Sequence, residues 1–262
     1  MIKGSVNCVS LVDKSQVEKH FGHSAATYRQ GAQLQRLVGT RLLDLLQSDS
    51  DGICLDLGCG PGLFSESLNR KFPTLLSLDL SLDMLKQNVR AHNRVRVDGH
   101  ALPVCDESVD AVFSSLMVQW CDFERVIGQI YGALKPGGQA VISTLITGTL
   151  FELASAWSKV NDDRHIHDYL DLEYIKHKVS ALPWSQQSMS TETQVFWFDN
   201  AKALAKELKS LGANYVEKRS QKGLLTKSKW MAMEAAYAQR FIDPGQNKVP
   251  ATYQILYINL VK

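Results

Sequence analysis

No run of apolar residues in this chain is long enough to cross a bilayer, and Met1 to Lys14 lacks the apolar core of a secretory leader; a cytoplasmic protein is therefore expected. Cysteine is scarce and unpatterned. The five thiols (Cys8, Cys54, Cys59, Cys105, Cys121) are odd in number and contain no CxxC, which argues against a disulfide framework and a zinc ribbon and for a reducing compartment. There is no G-x-S-x-G elbow, no P-loop, no internal repeat and no low-complexity tract, so serine-hydrolase and P-loop chemistry are set aside. His165 and His167 lie beside Asp163 and Asp168 but have no third ligand in view, and no metal is expected. What the chain does have is 262 residues, 45% of them hydrophobic, enough for one sizeable domain with an elaboration.

The most informative stretch is Ile53-Cys54-Leu55-Asp56-Leu57-Gly58-Cys59-Gly60-Pro61-Gly62. It predicts a buried strand, a tight glycine turn and a helix opening near Leu63. Glycines let the backbone curl beneath a ligand and approach it closely, and such a unit usually holds a nucleotide-like cofactor. The third glycine arrives one residue early for the dinucleotide fingerprint. Asp56, two residues before the first glycine, would repel a pyrophosphate and favour an ammonium.

Further strands follow in register. Leu75-Leu76-Ser77-Leu78 ends in Asp79, placed to bind ribose hydroxyls, and Ser81 caps a helix carrying Met84 and Leu85. Val95-Arg96-Val97 ends in Asp98, an acceptor for an adenine amino group. Ser108 to Ser114 is a fourth strand; a helix from Asp122 to Leu134 stops at Lys135-Pro136-Gly137-Gly138; Gln139 to Leu145 is a fifth strand. Acidic side chains ending three successive strands form one crevice at the carboxyl edge of a sheet. Beyond it, Thr149 to Leu182 reads as a helical insertion at the active edge. Gln187 to Phe198 and Tyr253 to Val261 read as strands, with helices at Ala201 to Leu211 and Lys227 to Phe241. Ahead of the sheet, a short helix from Lys14 to Phe21 precedes a long one from Thr27 to Leu46.

Charge is distributed unevenly. From residue 200 onward there are eleven Lys/Arg against four Asp/Glu, a net +7, whereas the first 199 residues carry −5. A basic C-terminal region bearing Lys202, Lys206, Lys209, Lys227 and Lys229 suits either ordinary solvated helix faces or an acidic partner.

The D-x-G-C-G-x-G turn, the acidic end of strand two, D-x-x-x-L-P after strand three and L-K-P-G-G before strand five resemble the class I methyltransferases, which use S-adenosyl-L-methionine (SAM). Phe21-Gly22-His23-Ser24-Ala25-Ala26-Thr27-Tyr28, Val118-Gln119-Trp120-Cys121, Leu211-Gly212-Ala213, Gly223-Leu224-Leu225-Thr226 and Pro250-Ala251-Thr252-Tyr253 narrow this resemblance. They look like the malonyl-acyl-carrier-protein O-methyltransferases of biotin synthesis, nearly end to end.

The resemblance implies an α/β, Rossmann-like sheet of seven strands, the sixth and seventh antiparallel, with N-terminal helices and a helical lid insertion after strand five. It implies SAM bound by Tyr28, Gln33, Asp56, Gly58, Gly60, Asp79, Leu80, Met84, Asp98, Ala101 and Ser115. It implies a catalytic role for Tyr28, Trp120 and Arg219 in methylating the free carboxylate of a malonyl thioester on acyl-carrier protein. The family often has Gly-Arg where this chain has Lys218-Arg219. The corresponding division is residues 1–50 as a helical cover, 51–146 as the SAM-binding core, 147–186 as a lid and 187–262 as the rest of the sheet with a basic face for the carrier. Rival readings are a SAM enzyme acting on another small molecule, such as a quinone precursor, and a SAM- or partner-binding protein without turnover.

Overall fold

The computed structural model describes residues 13–49, 51–213 and 226–262. Seven strands form one sheet: β1 (Ile53–Leu57), β2 (Thr74–Asp79), β3 (Asn93–Arg96), β4 (Val109–Ser115), β5 (Leu134–Leu145), β6 (Gln186–Phe198) and β7 (Val249–Val261). Their order is β3-β2-β1-β4-β5-β7-β6. The pairings among β1 to β5 are parallel. β7 pairs antiparallel with both β5 and β6. Thus β7 alone runs against the sheet, and β6 and β7 lie antiparallel to each other, as the sequence led one to expect.

The helices are α1 (Lys14–Ser24), α2 (Tyr28–Gly31), α3 (Gln33–Leu45), α4 (Ser65–Lys71), α5 (Leu82–Gln87), α6 (Phe123–Ala133), α7 (Phe151–Trp157), α8 (Leu172–Ser180), α9 (Ala201–Ser210) and α10 (Lys227–Phe241). They cover both faces, as a largely parallel sheet requires. Successive strand residues divide between two cores. Phe113, Val141 and Tyr257 face α3, α9 and α10, while their neighbours Val112, Ile142 and Ile258 face α6 and α8. Both layers are apolar and closed, each fully buried Leu or Ile contributing about 1.5–3 kcal/mol.

Local chemistry sets several boundaries. Asp122, Asp171 and Asn200 cap α6, α8 and α9 through side-chain oxygens that accept backbone N–H bonds. Two expectations change. The single helix over 27–46 breaks at Ala32, whose backbone is non-helical (φ −81°, ψ 46°). The break follows Gly31, a weak helix former whose Cα presses against Ser210; a Cβ there would lie 3.1 Å from Ser210 Oγ. The stop at Lys135-Pro136-Gly137-Gly138 does end α6, but this segment already belongs to β5, with a register irregularity against β4.

The insertion after β5 is α7, a connecting loop over 158–171, and α8. α7 packs on α10 and β7, and α8 packs on α6. Among the described residues no helix is long and apolar enough to cross a membrane.

Candidate active site

Strand order reverses at β1, whose neighbours are β2 and β4, so the crevice opens outside the carboxyl ends of these strands. The glycine turn shapes its floor. The N–H groups of Gly58 and Cys59 both donate to the Leu78 carbonyl, at 2.8 and 3.0 Å, folding the turn over the end of β2. Gly58 and Gly60 lie at φ +75° and +54°, in the left-handed region. A Cβ on Gly58 would come within 2.3 Å of Met117 Cγ. One on Gly60 would meet nothing, because this residue borders open space.

Asp79 fixes the turn to the next helix. Its Oδ2 accepts from the Gly60 N–H and its Oδ1 from the Ser81 N–H, each at 2.8 Å. Burial raises its pKa to about 6 against these two bonds. Asp56 lies deeper, 3% exposed, with Oδ2 lacking a hydrogen-bond partner among the described residues. Burial first, then the charge of Asp79, pushes its pKa up to about 8. Two desolvated carboxylates, one with an orphaned oxygen, form a place for a cation.

Asp98, at the third strand end, is more heavily engaged than the sequence suggested. Its Oδ2 accepts from Lys14 Nζ at 2.6 Å, and its Oδ1 from the His100 N–H at 3.0 Å and His100 Nδ1 at 2.5 Å. His100 Nε2 accepts the Asp122 N–H at 2.9 Å, which makes Nδ1 the protonated nitrogen. Burial alone would raise the Asp98 pKa; the Lys14 and His100 bonds outweigh it and hold the carboxyl well below its ordinary range. An adenine amino group therefore meets a carboxylate that the chain's own donors already orient.

The roof comes from the N-terminal helices. Lys14, Val17, Glu18 and Phe21 of α1 line the cleft, and Tyr28 opens α2. Arg29 holds α2 against the glycine turn by donating to the Pro61 carbonyl. Burial, then the Asp79 charge, raises the Tyr28 pKa, so its hydroxyl stays a proton donor. The far wall follows β4. Leu116 sits at φ +53°, its N–H donating to the Ser143 carbonyl at 3.0 Å, and a single 3-10 turn, Val118–Trp120, follows. Trp120 meets Phe21 edge-on (centroids 5.4 Å apart) and His167 at 4.6 Å. It thereby joins α1 to the loop of the insertion. His167 Nε2 in turn donates to the Gln119 carbonyl at 2.9 Å.

The cleft spans about 800 Å³ of space, the solvent at its open mouth included. It brings together Tyr28, Gly58, Gly60, Asp79, Leu80, Met84, Asp98, Ser115 and Trp120. Asp56 lies beneath the turn rather than in the wall. Gln33 and Ala101 are exposed and do not border the cleft, because α3 turns away after the break at Ala32 and the Ala101 N–H closes a turn onto the Asp98 carbonyl. Arg219 lies outside the described residues. Sequence reasoning missed the α1 wall, His100, Leu116 and Met117. The spacing Lys14/Glu18 and Val17/Phe21, each i, i+4 on one helix, was the available signal for the first of these.

The chemistry of this donor set excludes a pyrophosphate more than it excludes any cation. Lys14, the ammonium in the wall, is already committed to Asp98. The orphaned Asp56 oxygen and the open space above Gly60 fit a ligand carrying an ammonium and a ribose.

Comparison with known proteins gives the class. Residues 55–142 match the family model described as methyltransferase domain. The fold resembles the YcgJ protein of Bacillus subtilis (TM-score 0.61, 12% identity, 87% of this chain and 98% of that one). It also resembles a SAM-dependent methyltransferase of Archaeoglobus fulgidus (TM-score 0.50, 17% identity, 87% and 94%). At that identity both show the fold alone. The malonyl-acyl-carrier-protein O-methyltransferase of Serratia marcescens is 33% identical over 250 residues, 94% of this chain and 95% of that one. The same-named protein of Salmonella typhimurium is 33% identical over 251 residues, 94% and 97%.

The chain belongs to this family of SAM-dependent methyltransferases.

The chain also matches the biotin biosynthesis bifunctional protein BioHC of Cellvibrio japonicus, 35% identical over 259 residues, but spans about half (51%) of its length. The general methyltransferase model starts on β1 and ends on β5, so it contains the glycine turn, Asp79, Asp98 and Trp120. The matches to the malonyl-acyl-carrier-protein O-methyltransferases extend well beyond it, over 94% of the chain. SAM fits the cleft by the criteria above. Asp56 and the turn would hold its amino-acid end, Asp79 its ribose, and Asp98 with Met84 its adenine.

Proposed function

We propose that this protein methylates the free carboxylate of a malonyl thioester carried on acyl-carrier protein, an early step of biotin (pimeloyl) synthesis, and that it works in the cytoplasm. Bound SAM supplies an electrophilic methyl group on a sulfonium. The observation that carries the reading is the character of the wall beyond the glycine turn. Tyr28, Ser115 and Trp120 there are neutral. A malonyl carboxylate is ionised at neutral pH and needs no general base, only placement and exclusion of water. Both charges vanish in the product, so a strongly cationic grip would stabilise the ground state more than the transition state. A protonated tyrosine hydroxyl orients a carboxylate without that penalty.

Residues 1–50 act as the cover, 51–146 as the SAM core, 147–186 as a lid reaching the site through His167, and 187–262 as the carrier side. Lys202, Lys206 and Lys209 support carrier docking. They are exposed and recur at i, i+4 and i+7, one face of α9. The end of α9 is tied to the cleft roof: Ser24 Oγ donates to the Lys209 carbonyl at 3.0 Å and Thr27 Oγ1 to the Ser210 carbonyl at 2.9 Å. An acidic carrier seated on this face would present its thioester beside Tyr28.

The test is a SAM-dependent methyl-transfer assay with malonyl-acyl-carrier protein, malonyl-coenzyme A and a quinone-precursor panel in parallel. Methyl ester formed preferentially on the carrier-bound malonyl group is expected. SAM binding with turnover on neither malonyl thioester would reject the proposal.

A further inference from the structure

The two edges of the sheet are built differently. β3, at one edge, has four residues, two of them the arginines Arg94 and Arg96. A short, charged edge discourages a further strand from adding to it. β6, at the other edge, has thirteen residues and spans about 43 Å at the usual rise of a strand. Its pairing with β7 runs unbroken from Gln186 to Phe198, with no bulge to twist the edge away. It contains no Lys, Arg, Pro or Gly, and its single charged residue, Glu192, is paired with Arg41 of α3 at 2.8 Å. Among the described residues nothing pairs with the outer edge of this strand. β6 thus has none of the usual guards against a further strand.

One face of β6 carries both a projection and a recess. Alternation puts Met189, Thr191, Thr193, Val195 and Trp197 together on the α8 side. Toward one end of this face, Val195 and Trp197 are 41% and 39% exposed. Toward the other end, Met189 packs on the core beneath α8. A groove opens there, lined by Glu173, Lys176, His177 and Ser180 of α8 and by Ser188 and Met189 of β6.

We infer that two copies of this chain join β6 to β6, antiparallel across a two-fold axis at Thr193. Directly opposite residues of an antiparallel pair share a face, their Cβ atoms about 4.5–5.5 Å apart. With Thr193 on the axis, Val195 meets Thr191 and Trp197 meets Met189. The indole of each copy then lies at the groove of the other, one contact made twice, as a closed two-fold interface requires. Charge agrees with this register. Glu192 falls opposite Gln194, whose amide already donates to Glu192 Oε1 within its own strand. An axis at Glu192 would instead oppose two carboxylates. Main-chain hydrogen bonds hold the strands, and the seated indoles fix their register. Two seven-stranded sheets become one. Because the strands of one copy run against those of the other, the two cofactor clefts open at opposite edges and neither blocks the other.

Sedimentation velocity on the full chain, over a concentration series, is the test. Particles of twice the 29.2 kDa chain mass are expected. Trp197→Lys puts a charge at the groove and Thr193→Lys sets like charges on the axis; each is expected to weaken the dimer by about tenfold or more. SAM affinity by calorimetry should not change, since neither residue borders the cleft. Thr193→Cys reads the register. Its Cα atoms would face each other across the axis at about 4.5–5.5 Å, within reach of a disulfide. Oxidation should therefore yield a covalent dimer that the unsubstituted chain, with its own thiols, does not form. A monomer at every concentration would overturn the inference and leave this edge to a different partner. A dimer that withstands both lysine substitutions would overturn it by placing the contact elsewhere, and a dimer without the Thr193→Cys cross-link would overturn the register. Should one lysine variant misfold, the other variant and the cross-link decide.

Discussion

The two ends of the cleft are built from different materials. At the β1–β2 end, backbone amides and carboxylates form the wall: Asp79 bonds two N–H groups, and Asp56 waits beneath the glycine turn with an orphaned oxygen. At the other end, beneath the roof and along β4, the wall is made of rings and hydroxyls: Tyr28, Ser115 and Trp120, with His167 packed against Trp120. The first end is charged and suits a cofactor with fixed polar groups. The second is neutral and suits an anion that must lose its charge as it reacts. The difference separates what every enzyme of this fold must do, hold the cofactor, from what selects one substrate.

Removing Asp79 should break the comparison most severely. Asp79→Ala deletes a charge and two bonds that fix Gly60 and Ser81 at once, so the turn and the start of α5 lose their common anchor. SAM affinity is expected to fall about a hundredfold, close to 3 kcal/mol. Calorimetry checks it. An unchanged affinity would remove the second strand end from the cofactor site, leaving the carboxylate end no different in function from the neutral one.

These two ends were not equally legible in the sequence. The cofactor end arises from consecutive strand–turn units, so Gly58, Gly60, Asp79 and Asp98 could be placed from spacing alone. Their surroundings depend on partners far along the chain. That Lys14 would occupy Asp98 follows from the docking of α1, across 84 residues. The break at Ala32 is set by the contact of Gly31 with α9, which no helical periodicity contains. Trp120 was a candidate by motif, but its place between Phe21 and His167 required three separate segments to meet. The insertion was recognised as helical, yet only its loop reaches the site, while α7 and α8 serve the two cores. The place of β7 between β5 and β6 is a matter of strand pairing that alternation does not encode.

Titration sharpens the same contrast. The pKa values of Asp56 (about 8) and Asp79 (about 6) lie above the ordinary 3.8, so the folded chain holds protons that the unfolded chain has released. Stability from these groups is full below about pH 4 and is lost as pH rises through 6 and then 8. A cation favours the ionised pair, so SAM affinity moves the opposite way and should strengthen about tenfold from pH 6 to 8. Thermal melts with and without SAM across that range test both signs. The melting temperature of the free protein should fall while the increment due to SAM grows, and Asp56→Asn should flatten the upper part of both curves. Flat curves for the unsubstituted protein would mean that the two carboxylates are not desolvated. At the neutral end burial keeps the Tyr28 hydroxyl protonated throughout.

The smallest effect lies outside the cleft, on α9. Lys206→Glu with Lys209→Glu reverses two exposed charges on the face tied to the roof through Ser24 and Thr27. Exposed charges act through long-range attraction and are screened by salt. The expected rise in KM for malonyl-acyl-carrier protein is therefore only about three- to fivefold, shrinking as ionic strength increases. KM for malonyl-coenzyme A should move much less, and SAM affinity not at all. An equal rise for both thioesters would trace the change to the cleft, through the carbonyls of Lys209 and Ser210 that anchor α1 and α2. No rise for either would remove this face from carrier docking. Only the carrier-selective outcome leaves the neutral end of the cleft continuous with a basic approach, and so gives the substrate half of the molecule an electrostatics of its own.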